Sequence, residues 1–115
     1  MTNNTAVIAS LNDAFRKTLN SPVTHANRIM FTSGVNDQGF EFVQQALTAV
    51  MTFDGFSEDN DPDGERDFGN FELQDQKLFW KIDYYATPDM EHGSDDPSDP
   101  TKTVRILTVL LASEY

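Results

Sequence analysis

The chain has 115 residues, a formal net charge of −11 at pH 7 and a hydrophobic content of 38%. This length and apolar content suffice for one compact domain over residues 1–115. The charge argues against direct binding to nucleic acid or to an anionic membrane, because phosphates would be repelled. The chain contains no cysteine, which excludes disulfides, thiolate nucleophiles and cysteine-based zinc sites.

Two further features of the sequence bear on where in the cell the protein is found. No basic segment precedes the short apolar run that follows Asn4, which argues against a secretory signal. The longest apolar stretch, near residues 106–112, is far shorter than a membrane span. Together with the lack of cysteine, these features lead us to expect a cytoplasmic protein.

The first half of the chain predicts a helix, a strand and a second helix. Apolar residues recur at helical spacing over residues 5–19, and Asn20-Ser21-Pro22 ends that helix. Residues 28–32 predict a short strand that ends at Ser33-Gly34. Residues 37–53 predict a helix central to the core, because they carry two apolar stripes: Phe40, Val43, Leu47 and Val50, and Phe42, Ala46, Ala49 and Phe53.

The second half predicts strands. Alternating residues 71–73 and 78–85 flank a turn near residues 74–76, so we expect a hairpin with Trp80 and Tyr84 on one face. Residues 103–112 fit both a buried strand and a helix, and their β-branched residues favour a strand. The resulting order, α-β-α-β-β-β, predicts an α+β fold in which two helices cover an antiparallel sheet of about four strands.

Three blocks of the sequence are distinctive. Residues 60–69 read N-D-P-D-G-E-R-D-F-G, residues 79–85 read F-W-K-I-D-Y-Y, and residues 112–115 read A-S-E-Y. From about Leu11 to the C-terminus, the chain resembles a domain-of-unknown-function family of small bacterial proteins, often encoded on plasmids and other mobile elements. The family pattern N-D-P-x-G-E-x-D-F-G leaves the position of Asp63 open and often has His where this chain has Arg66. The resemblance implies a compact bacterial cytosolic domain and transfers no catalytic residues.

Acidic residues are concentrated in two stretches, which hold 13 of the 19 carboxylates. Residues 54–67 contain seven acids and one base, Arg66, whereas residues 83–99 contain six acids and no Lys or Arg. Because like charges at this density repel one another, solvation, a cation or a basic partner must favour keeping them together. The sequence leaves these three alternatives open.

The first stretch opens like a calcium-binding EF-hand loop. Residues 59–64, D-N-D-P-D-G, place acids at loop positions 1, 3 and 5 and glycine at position 6. Asn70 stands where the loop requires a bidentate glutamate, and Pro62 intrudes, so a looser Ca²⁺ or Mg²⁺ site is the better hypothesis. If both acidic stretches meet at one end of the sheet, Glu65, Asp67, Asp83 and His92 could also converge on a metal ion. The candidate metal ligands are therefore Asp59, Asp61, Asp63, Glu65, Asp67, Asp83 and His92. An ion pair of Asp83 with Lys81, and a loop hydrogen bond for His92, are the structural alternatives.

The favoured functional hypothesis is a non-enzymatic interaction protein whose acidic surface docks on a basic protein, in its sharpest form as a nucleic-acid mimic. Solubility alone is the plainer explanation of the charge. The candidate partner-binding residues are Glu58, Asp89, Glu91, Asp95, Asp96 and Tyr85. The alternative is a divalent-metal-binding or metal-dependent protein. No nucleophile elbow, phosphate-binding loop or H-E-x-x-H motif occurs in the sequence, and the sequence indicates no oligomeric state.

Overall fold

The computed structural model describes residues 4–19, 27–86 and 92–115. Within these ranges the elements follow the order α1 (Thr5–Lys17), β1 (Arg28–Phe31), α2 (Ser33–Asn36), α3 (Phe40–Met51), β2 (Phe68–Leu73), β3 (Gln76–Ala86), β4 (Thr103–Leu111) and a final 3₁₀ turn, Ala112–Glu114. The predicted α+β class is therefore confirmed. In this described part of the chain, no helix is long and apolar enough to cross a membrane.

The described strands form one sheet in the order β1-β4-β3-β2. The pairs β2–β3 and β3–β4 are antiparallel, as predicted, but β1 runs parallel to β4. This departure follows from the connections between the elements. Because the chain passes through α3 between β1 and β2, these two strands run in the same direction. The hairpin then reverses the chain into β3, and the connection to β4 reverses it again, so β4 runs parallel to β1.

The hairpin between β2 and β3 closes as the sequence predicts. Its two turn residues, Gln74 and Asp75, have φ angles of 50° and 65°. Such left-handed pairs form the two-residue turns whose twist matches that of antiparallel strands. The turn fixes the register, so that Phe71 lies opposite Leu78 and Gly69 lies opposite Trp80.

The ambiguous segment 103–112 is a strand, which confirms the choice made from its β-branched residues. As β4 it occupies an inner position of the sheet, between β1 and β3. Residues on both of its faces are shielded from water, including Val104, Leu107, Val109 and Leu110. Burial on both faces explains why its sequence lacks the alternation typical of a half-exposed strand.

The helices pack on one face of the sheet, called here the helix face. The core joins Phe42, Ala46 and Val50 of α3 to strand residues that include Trp80 and Leu107. The opposite face, called the open face, carries the side chains that alternate with these along each strand, such as Phe79, Lys81 and Asp83 of β3. On this face Val104 and Leu110 of β4 are buried.

Two details of the second helix differ from the prediction. Phe40 was assigned to an apolar stripe, yet its side chain is 78% exposed. Phe40 is the first residue of α3, and two residues of helix rotate it roughly 200° from the buried Phe42. The helix predicted over roughly residues 37–53 also begins later, at Phe40, and the separate short helix α2 precedes it at Ser33–Asn36 and buries Val35.

Glu114 explains why α2 forms where the sequence predicted only a strand end. Its carboxylate accepts hydrogen bonds from Thr32 Oγ1 at 2.6 Å, from the Gly34 amide at 3.1 Å and from the Leu111 amide at 2.9 Å. A Cβ atom at position 34 would lie 2.6 Å from the Glu114 carboxyl carbon, so only glycine leaves room for this contact. The A-S-E-Y block thus fixes the C-terminus to α2.

Candidate functional site

Asn12, on α1, connects three parts of the fold. Its side chain is fully buried. Its Nδ2 donates to the Glu65 carbonyl oxygen at 3.0 Å and to the Tyr84 hydroxyl at 2.7 Å, while its Oδ1 accepts from Arg105 Nε at 2.6 Å. All three partners come from segments at least 53 residues away in sequence. Asn12 therefore joins the first acidic stretch to strands β3 and β4.

Arg105 extends this connection to the second acidic stretch. Its guanidinium donates to the Pro97 carbonyl oxygen, and its backbone amide donates to Asn27 Oδ1 at 2.7 Å. Burial lowers the pKa of the guanidinium from its ordinary value, while the neighbouring Tyr84 and Glu65 act in the opposite direction. The described parts of both acidic stretches are thus tied to one buried pair, Asn12 and Arg105.

Residues 54–67, called here the acidic loop, are braced by their own side chains. Asn60 accepts a hydrogen bond from the Ser57 amide at 3.0 Å and donates one to the Gly55 carbonyl oxygen at 2.9 Å. Asp61 Oδ1 accepts from the Arg66 amide at 2.9 Å. These bonds hold the backbone in a series of turns, as short polar side chains do in Asx motifs. The acidic loop is consequently preorganised.

Arg66, the only base of the acidic loop, does not neutralise the acids beside it in sequence. Its NH1 lies 2.8 Å from Asp13 Oδ2 on α1, and its guanidinium stacks 5.1 Å from the Phe56 ring centroid. Four carboxylates of the loop, Asp54, Glu58, Asp59 and Asp63, are exposed to solvent. The loop therefore presents four exposed carboxylates, while its cation, with a side chain 48% exposed, is paired with Asp13.

Asp67 lies where the acidic loop enters β2 and is half-buried. Burial, followed by the negative charge of Glu65, raises the pKa of this carboxyl from 3.8 to about 6. Asp61 and Asp63 add smaller contributions of the same sign. The Tyr84 hydroxyl donates to Glu65 Oε1 at 3.0 Å, and burial raises the pKa of Tyr84 above its ordinary value. Carboxylates are therefore concentrated where the acidic loop enters β2.

In the second acidic stretch, two carboxylates stabilise turns. Asp96 Oδ1 accepts hydrogen bonds from the Ser98 amide and hydroxyl, and Asp99 Oδ1 accepts from the Thr101 amide and hydroxyl. The hydroxyl and amide of Thr101 lower the pKa of Asp99. Asp96, proposed from the sequence as a partner-binding residue, has a structural role here.

The structure separates Asp83 from the other predicted metal ligands. Asp83 projects from the open face, where its Oδ2 lies 3.4 Å from Lys81 Nζ, whereas Tyr84, the neighbour of Glu65, projects from the helix face. Because adjacent strand residues point in opposite directions, the structure does not bring Asp83 together with Glu65 and Asp67. The backbone oxygen of His92 accepts a hydrogen bond from the Ala86 amide at 2.6 Å.

The remaining predicted residues are placed as follows. Tyr85 lies on the open face, opposite Val104 and bridged to Gly93. Asp95 is exposed. Asp89 and Glu91 lie outside the described residues. Among the residues that the structure describes, no group of three or more His, Asp or Glu side chains has a geometry suited to a metal ion.

The EF-hand comparison fails at the exit of the loop. Asn70, at the position of the bidentate glutamate, lies inside β2, so a strand follows where an EF-hand has a helix. Asn60 and Asp61 direct side-chain oxygens to backbone amides of the loop itself. These two residues serve the fold of the loop.

Sequence reasoning missed Asn12 and Arg105. Each is a polar residue on an otherwise apolar surface: Asn12 lies one turn beyond Ile8 in α1, and Arg105 interrupts the apolar run of β4. A polar residue at a core position is a signal of a buried hydrogen-bond network. Their partners are not readable from the sequence, because the two residues are 93 positions apart.

Residues 31–114 match the family described as "Protein of unknown function (DUF3768)", and the chain therefore belongs to this family. The predicted membership of a domain-of-unknown-function family is confirmed. The matched region contains the acidic loop, Tyr84 and Arg105 and begins after α1, so Asn12 lies outside it. No curated protein and no solved structure matches the chain.

We expect Asn12→Ala to destabilise the protein by about 2–4 kcal/mol, because it leaves buried partners, among them Arg105, without a hydrogen bond. Urea unfolding measures the free energy, and hydrogen exchange should show faster exchange in residues 61–67. Asn36→Ala is the matched control, since the Asn36 side chain is exposed and donates only to the Phe31 carbonyl oxygen. Equal losses in the two variants would contradict the central role of Asn12.

We expect Asp67→Asn to stabilise the protein above pH 6. The raised pKa means that the folded state resists ionisation of Asp67, so the wild type loses stability as pH rises from about 4 to about 6. Solvent screening at a half-exposed site limits the gain to about 1 kcal/mol. Urea unfolding at pH 4 and pH 7.5 should show the gain only at the higher pH. The exposed Asp59→Asn is the control, and a gain independent of pH would contradict this account.

Proposed function

We propose that this protein is a cytoplasmic interaction protein whose acidic loop docks on a lysine- and arginine-rich surface of a partner protein. The observation that supports the proposal best is the orientation of charge in the loop. Asp54, Glu58, Asp59 and Asp63 are exposed, while Arg66 is paired with Asp13. A basic partner would relieve the repulsion among these carboxylates, which bulk water screens only in part.

The internal bracing of the loop supports the same proposal. Binding is weakened by the entropy lost when a mobile segment is ordered. In the acidic loop, hydrogen bonds of Asn60 and Asp61 and the anchor from Asn12 to Glu65 have already fixed the backbone. Exposed carboxylates on a braced backbone also suit the sharper form of the proposal, a nucleic-acid mimic that occupies the phosphate-binding surface of its partner.

The second acidic stretch contributes less to this docking surface. Asp95 is exposed and belongs to a segment that Arg105 ties to the same network. We therefore include Asp95 and Glu58 among the contact residues and exclude Asp96, whose carboxylate closes a turn. An origin on a bacterial mobile element, which the sequence resemblance implies, would agree with a small protein that acts on a host partner.

A direct test uses a fluorescent peptide of alternating arginine and glycine and follows its anisotropy at low and at physiological ionic strength. We expect binding that weakens with salt, because exposed charges supply the attraction. Replacing four exposed carboxylates, in the variant Asp54→Asn, Glu58→Gln, Asp59→Asn and Asp63→Asn, should raise the dissociation constant about tenfold, since each charge contributes about 0.3–0.4 kcal/mol.

The matched control removes the same number of exposed charges elsewhere. The variant Asp37→Asn, Glu41→Gln, Glu72→Gln and Asp75→Asn changes the net charge equally and leaves the acidic loop intact. We expect its dissociation constant to change less than about twofold. If both variants bind the peptide equally weakly, net charge alone accounts for binding and the specific role of the acidic loop is contradicted. If the wild type does not bind the peptide at low salt, the docking proposal is contradicted.

A divalent cation, Ca²⁺ or Mg²⁺, is the second candidate partner of the acidic loop. The observation in its favour is that Asp61, Asp63 and Glu65 all act on Asp67 and raise its pKa, and a bound cation would offset that repulsion. No step of a metal-dependent reaction follows from the described geometry.

Thermal melts in EDTA and in millimolar Ca²⁺, Mg²⁺ or Mn²⁺, at one ionic strength, test this candidate. A cation at a hundred times its dissociation constant stabilises by about 2.7 kcal/mol, which should raise Tm by several degrees. The rise should disappear in Asp67→Asn and persist in Glu72→Gln, whose carboxylate lies outside the loop. An unchanged Tm with all three ions would eliminate the metal hypothesis and leave peptide docking unaffected.

A further inference from the structure

The open face of the sheet carries an aromatic cluster over β2 and β3 and an exposed methionine on β1. The rings of Phe68 and Phe79 lie with their centroids 5.4 Å apart, and Tyr115 packs edge-on against Phe79 at 5.1 Å. Tyr115 is nevertheless 77% exposed, and Met30 of β1 is 53% exposed. Large aromatic and methionine side chains that remain exposed are typical of interaction surfaces.

The charges of this face distinguish it from the rest of the molecule. The positions that alternate with the core carry three cations, Arg28, Lys77 and Lys81, and two anions, Glu72 and Asp83. The face is thus close to neutral in a protein whose net charge is −11. Two copies of the chain would repel each other least if they approached through this face.

The pair Lys81 and Asp83 gives the face a self-complementary pattern. Both residues lie on the inner strand β3, their charged groups are 3.4 Å apart, and their side chains are 43% and 42% exposed. A two-fold axis near the middle of β3 would bring Lys81 of one copy against Asp83 of the other. Such an exchange is the pattern of an isologous interface, in which one surface meets itself.

From these observations we propose that the open face is the contact surface of a homodimer, with Met30, Phe79 and Tyr115 as its apolar contacts and Lys81–Asp83 as its charged contact. Charge complementarity selects the second copy as the occupant. The acidic loop contacts α1, on the helix face, so this proposal is independent of the docking of a basic partner.

Sedimentation velocity of the full chain, from about 1 µM to about 1 mM at physiological salt, tests the proposal. We expect the mass to rise from one copy to two with concentration. Asp83→Lys should raise the dimer dissociation constant at least about tenfold, because it places cations of both copies against one another. The exchanged pair Lys81→Asp with Asp83→Lys should restore dimerisation.

A variant of one apolar contact, together with its control, completes the experiment. Met30→Asp should also prevent dimerisation, whereas Phe40→Asp should not, because Phe40 is exposed on α3, away from the open face. Circular dichroism verifies that each variant is folded, and the restoring double variant keeps the test valid if one of the others unfolds. A monomer at every concentration, or a dimer that only Phe40→Asp disrupts, would overturn the proposal.

Discussion

The hydrogen bond between Asn12 and Arg105 holds together the parts of this molecule that carry its charge. Both side chains are buried, and a buried polar group without a partner costs about 1–3 kcal/mol, or more when it is charged. Each residue therefore stabilises the fold only if α1, β4 and both acidic stretches occupy their native positions together. Such mutual dependence makes a polar network specify one arrangement, because a partly satisfied network is less stable than an apolar core.

Helix α1 serves as the platform of the acidic loop through consecutive residues. Asn12 donates to the Glu65 carbonyl oxygen, and Asp13 accepts from Arg66. One turn further, Arg16 pairs with Asp13 and donates to the carbonyl oxygens of Val50 and Met51 at the C-terminal end of α3. A cation at this end interacts favourably with the helix dipole. Helix α1 thus anchors both the acidic loop and the C-terminal end of α3, which precedes the loop in sequence.

Much of the sheet follows from local sequence, whereas the site follows from long-range contacts. Alternation over residues 78–85 and the turn near residues 74–76 suffice to predict the hairpin and the faces of Trp80 and Asp83. The parallel pairing of β1 with β4 depends on the return path through α3, and no local pattern records it. The same limit applies to Arg105, whose partners come from α1 and from the Pro97 turn. The sequence identified the acids of both stretches, but their different roles emerge only when their hydrogen bonds are known.

The two proposed surfaces lie on opposite sides of the sheet, and this separation has a consequence for binding. The repulsive carboxylates project from the acidic loop on the helix face, while the nearly neutral open face remains accessible to a second copy. A dimer formed there would carry two acidic loops in one rigid assembly. If a basic partner offers two matching patches, binding at the first makes the second intramolecular, and the overall affinity can exceed that of one loop by orders of magnitude. Weak, salt-screened contacts at each loop would then suffice for stable association.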